Sequence, residues 1–297
     1  LITCALILMV AGVTTYTAAT NLRQALEGVA KPSHVFLLLF TTSGQLFSLA
    51  QFIAFFGPLI GIILGFDAIN RERNDNTLSK LISQPIFRDA VINGKFLAGV
   101  TTIALMLSSM VLLITGLGLL SVGVVPGGDE AGRLVVDLFV SIAYVSFWMG
   151  LAILFSILFR SLATSALAAV ALWIFFSFFI GFAASLVAGA IAPVDNPRDP
   201  RQVVANRNAE DAASLASPVV LYSQATSTIL DPFRRTRQNL TMVGPMERFS
   251  MERFRNPLPL DQSILVVVPY LTLMIGLTVV CFGLSYVIFM RQEVRST

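Results

Sequence analysis

Asp67-Ala-Ile-Asn-Arg71-Glu72-Arg73-Asn-Asp-Asn76-Thr77-Leu78-Ser-Lys80-Leu81-Ile-Ser83-Gln84-Pro85-Ile-Phe-Arg88-Asp-Ala-Val-Ile-Asn-Gly94-Lys95 is a polar island between two long apolar runs. It holds five basic residues, Arg71, Arg73, Lys80, Arg88 and Lys95. Thr77 is suited to cap a helix whose Leu78, Leu81 and Ile82 share one face. Pro85 ends or bends that helix, because it lacks an N–H and clashes with the preceding turn. The product is an apolar ridge with Lys80 and Arg88 around it, a shape that fits a groove on a soluble partner. The same residues also fit a solvated loop whose charges serve topology only. The residues alone leave both readings open.

The rest of the chain says where such a segment sits. The sequence is 56% hydrophobic and 12% charged, with a mean hydropathy of +0.80. Soluble domains average about 25% charged residues, so this is an integral membrane protein. The surplus of three positive charges is ordinary for basic cytoplasmic loops and gives no reason to invoke nucleic acid. Cys4 and Cys281 lie inside apolar runs without metal-type spacing and read as buried free thiols. A single histidine, His34, cannot build a His-rich metal site, and no metal is expected.

A span needs about 20 apolar residues. Six candidates follow: Leu1–Thr17, Phe47–Phe66, Phe96–Val125, Leu134–Leu158, Leu162–Ile191 and Ile264–Met290. The first begins inside an apolar run and reads as the cut end of a span, not as a signal peptide, since no basic region precedes it. Residues 35–40 form an interfacial lead-in to the second. The fifth must tilt, bend or project, because 30 helical residues measure about 45 Å. In the short loops, eight Lys and Arg fall on the side of the 67–95 segment and three on the other. That segment and both termini are therefore expected in the cytoplasm.

Residues 192–263 fall on the outer side and carry nine arginines against eight acidic residues. Segments this long cross largely regardless of charge. Ser217-Pro218 starts a helix there, with a Ser cap and Pro at the first position. Asp231-Pro232 stops it. Val219, Tyr222 and Ile229 lie on one face, so a short amphipathic helix, 217–230, is expected as an external cap on the ends of the third and fifth spans. Residues 192–216 read as flexible loop. The organisation is then 1–191 for five spans with the 67–95 segment, 192–263 outside, and 264–297 for the sixth span and tail.

Chemistry is conspicuous by absence from the sequence. It has no phosphate-cradling Gly-x-x-x-x-Gly-Lys motif and no hydrolase or zinc motif, so the chain is not expected to be an enzyme. Asp67 and Asp137 lie near span ends, and no ionisable residue sits mid-span, which disfavours an ion-driven carrier. Gly57, Gly61 and Gly65 repeat every four residues along the second span. Such spacing lets helices approach closely, either within the subunit or at a subunit interface or translocation seam. Gln45 and Gln51 are expected to face protein or a cavity.

Asp67, Arg71-Glu72, Thr77-Leu78, Leu81-Ile-Ser-Gln84-Pro85, Arg88 and Gly94-Lys95 together resemble the coupling segment of ABC-2 type permeases, the membrane subunits of ATP-binding-cassette transporters. Asn76 stands where that family usually has Gly, a mild departure since Asn also tolerates a left-handed turn. Ser217-Pro218-Val-Val-Leu221-Tyr222-Ser-Gln-Ala225 is similar to a segment before the last span in many of these permeases. The resemblance covers most of the chain. It implies an all-α, six-span, type V exporter-like permease with a cytoplasmic coupling helix and an external helical cap. Arg71, Glu72, Thr77, Leu78, Leu81, Gln84, Pro85 and Arg88 would engage a separate ATPase subunit, which would hold the ATP and Mg. A second permease subunit would complete a dimer in a prokaryotic cell membrane, and the work would be export. The subgroup it resembles serves nitrous-oxide-reductase maturation. A non-transporting membrane scaffold, or a subunit that transmits force to an external protein, is the other reading. The six-span reading predicts that single cysteines at Ser79 and Ser214 react with an impermeant thiol reagent from opposite faces of the membrane. Labelling of both from one face would overturn the topology.

Overall fold

The computed structural model describes residues 12, 13, 16, 35–41, 48–74, 88–122, 125–194, 196, 199–232 and 258–291. Among them the chain is helical, with no strand. Nearly all of the first expected span, with Cys4 and His34, lies outside the described residues.

A 3-10 turn, Val35–Leu37, runs into α1, Leu38–Thr41. Next come α2, Leu49–Gly65, and the short α3, Asn70–Asn74. The long helices α4, Arg88–Val122, and α5, Gly128–Leu158, follow. The fifth span is built of α6, Leu162–Ile174, a π-turn, Phe175–Phe179, and α7, Ile180–Ile191. Beyond it lie α8, Pro200–Ser214, α9, Pro218–Leu230, and α10, Leu260–Arg291. Five helical stretches among the described residues are long and apolar enough to cross a membrane.

α5 is the central post. Of its apolar length 72% is buried in the protein, against 11% for the fifth span and 17% for α10. The reason lies partly in α2. Gly57, Gly61 and Gly65 all turn toward α5 of the same chain. A Cβ on Gly61 would stand 2.5 Å from the Val145 carbonyl oxygen, and one on Gly65 equally close to that of Met149. Only hydrogen fits there, so the two backbones meet directly. Pro58 sits inside α2 and offers no N–H to the Ala54 carbonyl one turn earlier. The Tyr144 hydroxyl of α5 donates to that carbonyl at 2.8 Å, which removes an orphan acceptor from an apolar interior.

The spans are longer than the apolar runs. α4 begins at Arg88, eight residues before Phe96, so residues 88–95 belong to the third span's helix and not to a loop. α5 begins at Gly128 because Glu130 anchors its start. Glu130 Oε2 accepts from Gly127 N at 2.8 Å, and Oε1 accepts from Phe36 N at 3.0 Å. The same carboxylate therefore ties α1 to the bundle, where Phe36, Leu37, Leu39 and Phe40 are all buried. The expected lead-in at 35–40 is thus packed in, with Leu39 and Phe36 over Gly118 of α4.

Two expectations for the outer segment need correction. Residues 200–214, read as loop, form α8. Asp199 caps it by accepting from Arg201 N at 3.0 Å, Pro200 takes the first turn, and the helix packs along α7. It has no apolar face and no buried residue, so hydrophobic periodicity could not find it. Asp199-Pro200 carries the same start signal as Ser217-Pro218. The second correction concerns α9. It is not an amphipathic cap resting on the ends of the third and fifth spans. Twelve of its thirteen residues are buried, and its neighbours are α5, α10 and α2, with the π-turn of the fifth span at its start. A helix enclosed on all sides needs no single apolar face.

Gly61→Leu is expected to drive α2 from α5 and lower the thermal midpoint of the purified protein, since overpacking costs about 1–3 kcal/mol even in cores that adjust. Gly94→Leu, where a Cβ meets nothing within 4 Å, is the control and should leave the midpoint in place.

Candidate coupling site and the polar seam

The end of α2 is keyed to the central post. After Gly65 the chain turns through residues 66–69 into α3. Three carbonyls or amides of this turn would be left open at the end of a membrane helix. Ser156 of α5 accepts from both Ile69 N and Asn70 N, at 3.0 and 3.1 Å. Ser165 of α6 donates to Phe66 O at 3.1 Å. Ser156 and Ser165 are wholly buried, so two serines on neighbouring spans hold the base of the 67–95 segment.

The two limbs of that segment are joined as well. Glu72 of α3 pairs with Lys95 of α4 at 3.0 Å, and both side chains are about a quarter to a third exposed (24% and 30%). Arg71 pairs more loosely with Asp67, at 3.7 Å, with its own side chain 72% exposed. An exposed pair of that kind contributes about 0–1 kcal/mol, so Glu72–Lys95 is the contact that ties α3 to α4. Asn70 is fully enclosed, and neither polar atom of its side chain has a partner. Of the expected coupling residues, Arg71 and Glu72 are thus placed on α3, and Arg88 opens α4. Thr77, Leu78, Leu81, Gln84 and Pro85 lie outside the described residues.

At the other end of the bundle a second polar feature runs along α5. Asp129, Arg133, Asp137 and Ser141 recur every four residues, and Asp137 and Ser141 meet polar side chains of α9. Arg133 is wholly buried. It donates to Asp129 Oδ2 at 2.7 Å, to Ile229 O at 2.9 Å, to Ser263 Oγ at 3.2 Å and to Leu258 O. One guanidinium therefore pins the start of α5, the end of α9 and the start of α10. Asp137 lies beside Thr226 and Tyr222 of α9. Ser141 Oγ and Tyr222 Oη are 3.0 Å apart, and the Tyr222 ring stacks on Tyr144 at 4.3 Å between centroids. At its opposite end Ser217 Oγ donates to Phe176 O, in the π-turn at the middle of the fifth span. α9 therefore runs from the level of the π-turn to the level of Arg133. Val219, Tyr222 and Ile229, expected as the one face by which a cap packs on the spans, are all buried in it, together with nearly all the rest of the helix.

Sequence reasoning missed Ser156, Ser165, Arg133 and Ser141. The four-residue recurrence from Asp129 to Ser141 was the available signal, since i, i+4 residues share a helix face. Nothing local marks Ser156 and Ser165 among the serines of the chain.

Arg133→Met is expected to free the end of α9 and speed proteolysis between residues 233 and 257. Removing one partner of a buried, hydrogen-bonded charge costs about 3–5 kcal/mol. Cleavage at the wild-type rate would show that the Arg133 contacts do not hold the segment.

No characterised protein matches the chain. A family model described as ABC-2 family transporter protein matches residues 1–294, nearly the whole length. With five described helices able to span a membrane and an all-helical fold, the chain is a multi-pass membrane protein and belongs to the ABC-2 transporter family.

Proposed function

We propose that this chain is the permease subunit of an ATP-binding-cassette exporter. A separate ATPase chain binds ATP and Mg, docks on the segment between α3 and α4, and drives release of substrate on the far side of a cell membrane. A second permease subunit completes the assembly. The basic end of the bundle, with Arg71, Arg73, Lys95 and Arg291, lies in the cytoplasm, as do both termini.

One observation carries this reading. The base of the family's polar segment is rigidly keyed to α5 through Ser156, and its two limbs are clasped by Glu72 and Lys95. A push delivered between residues 75 and 87 therefore reaches α2, α4 and α5 together. α5 in turn contacts α10 and α9, and Arg133 gathers the start of one and the end of the other at the far end. A merely topological loop has no need of such a base. The chain adds no catalytic group in this scheme; its work is mechanical.

The test uses the protein in its native membranes. Leu81→Asp puts an unpaired charge into the docking ridge, an unfavourable burial, and copurification of the ATPase is expected to fall at least about tenfold, about 1.4 kcal/mol. Retention at wild-type level by correctly inserted Leu81→Asp protein would refute docking through this segment. Glu72→Lys should keep the ATPase bound but lower ATP hydrolysis in the complex, and the swap Glu72→Lys with Lys95→Glu should restore it. ATPase binding without ATP-driven release of any substrate would support the scaffold reading instead.

A further inference from the structure

α7 and α8 form a hairpin that stands apart from the bundle. The main neighbours of α7 are α8 and the π-turn, and that of α8 is α7. Ser217 donates to Phe176 O, so α9 and this hairpin set out from one point. α9 then follows α5, whereas α7 has neither of them as a main neighbour. A π-bulge is one of the few features that bend a helix sharply, and Phe175–Phe179 lies where α7 parts from the bundle. The hairpin has two unlike sides. Ala184 and Ala188, the buried residues of α7, face α8, and Asn206 Nδ2 donates to Ala192 O one turn further on. On the opposite side of α7, Phe179, Phe182 and Leu186 are each more than half exposed. α8 turns Arg201, Arg207, Asn208 and Asp211 to the other side, all exposed, with Val204 as the large apolar residue among them.

Lipid cannot enclose both sides of such a hairpin. Charged side chains in hydrocarbon are costly, and large apolar side chains left in water forgo the gain of burial. A boundary between lipid and water that runs between the two helices satisfies both. The depth of the hairpin agrees. The Phe178 ring meets Phe55 at 6.2 Å, and Phe55 lies about 10 Å along α2 from its Ser48 cap. The hairpin thus springs from about 10 Å beneath that end of the bundle, and amphipathic interfacial helices bury their apolar face about 5–10 Å deep.

We infer that the α7–α8 hairpin is a lipid-binding arm. It rides in the surface of the leaflet remote from the 67–95 segment, with Phe179, Phe182 and Leu186 among acyl chains and the outer side of α8 in water. Lipid is the occupant because this apolar side continues that of α6 and the π-turn. There Leu167, Ile174, Phe175 and Phe178 are exposed on a membrane-crossing stretch only 11% buried in the protein. Arg201 and Arg207 are balanced on α8 by Glu210 and Asp211, so the arm needs no anionic headgroup. Because it meets the bundle at Phe176 and Ser217, its seat in the leaflet bears directly on the start of α9. The inference requires only that the chain crosses a membrane, so a failed ATPase copurification would leave it intact.

Spin labels report the two sides. Full-length protein with Cys4→Ser and Cys281→Ser is labelled at single introduced cysteines and placed in phosphatidylcholine bilayers. Collision with oxygen, which concentrates in lipid, is compared with collision with a water-soluble nickel chelate. Leu167→Cys and Arg201→Cys set the lipid and water ends of the scale. Phe182→Cys and Leu186→Cys are expected to show an oxygen-to-nickel ratio at least about fivefold above that of Asn208→Cys and Asp211→Cys. The inference is overturned if positions 182 and 186 are shielded from both reagents, as burial against a second copy or another protein would shield them. It is overturned as well if they favour nickel, as an arm standing free in water would. Oxygen preference at 208 and 211 would also sink it, because lipid would then surround both helices.

Discussion

Lipid offers no hydrogen bonds, so every polar group inside the bundle needs a partner from the protein. Among the described residues one helix supplies several of them. α5 gives Glu130 to the 3-10 turn before α1, Arg133 to the end of α9 and the start of α10, Tyr144 to the carbonyl freed by Pro58, and Ser156 to the turn below α2. These groups sit at both ends and at mid-depth, so α5 fixes the level of each neighbour as well as its direction. Apolar packing alone would leave the helices free to slide.

The glycine row on α2 works with this ladder. Gly57, Gly61 and Gly65 bring α2 so close to α5 that Tyr144 reaches Ala54 O and Ser156 reaches the amides of residues 69 and 70. The close backbone approach and the hydrogen bonds at its two ends support each other. The base of the 67–95 segment inherits its position from that contact. Glu72 and Lys95 then close the gap to α4. A sparse set of side chains thus links the family's polar motif to the middle of the molecule, and the fifth span, little buried and aromatic on its open face, joins that linkage through Ser165.

The far end is organised differently. There the chain re-enters the bundle through α9 and is held at three levels, by Phe176, Ser141 and Arg133. Hydroxyls, a carboxyl and a guanidinium line that contact where apolar side chains would have packed more tightly. Close backbone contact thus sets α2 against α5, whereas hydrogen-bonding side chains set the level of α9.

The class of protein and the five described spans were legible in the sequence for a simple reason. Twenty apolar residues in a row, and charges confined to their flanks, are local properties that lipid imposes on any chain. The span from Leu162 to Ile191 could be read to the residue, and Ser217-Pro218 announced α9 through its first-turn proline, although the Ser217 hydroxyl caps nothing and donates to Phe176 O instead. What lay beyond reach depended on partners distant in sequence. The direction of Gly61 follows from Val145, the burial of α9 from α2, α5 and α10, and the roles of Ser156 and Arg133 from residues some 85 to 130 positions away. α8 escaped because its surface carries no apolar period to read. A membrane decides from local composition which segments enter it, but only packing between helices decides which polar groups meet, and that is a property of the assembled bundle.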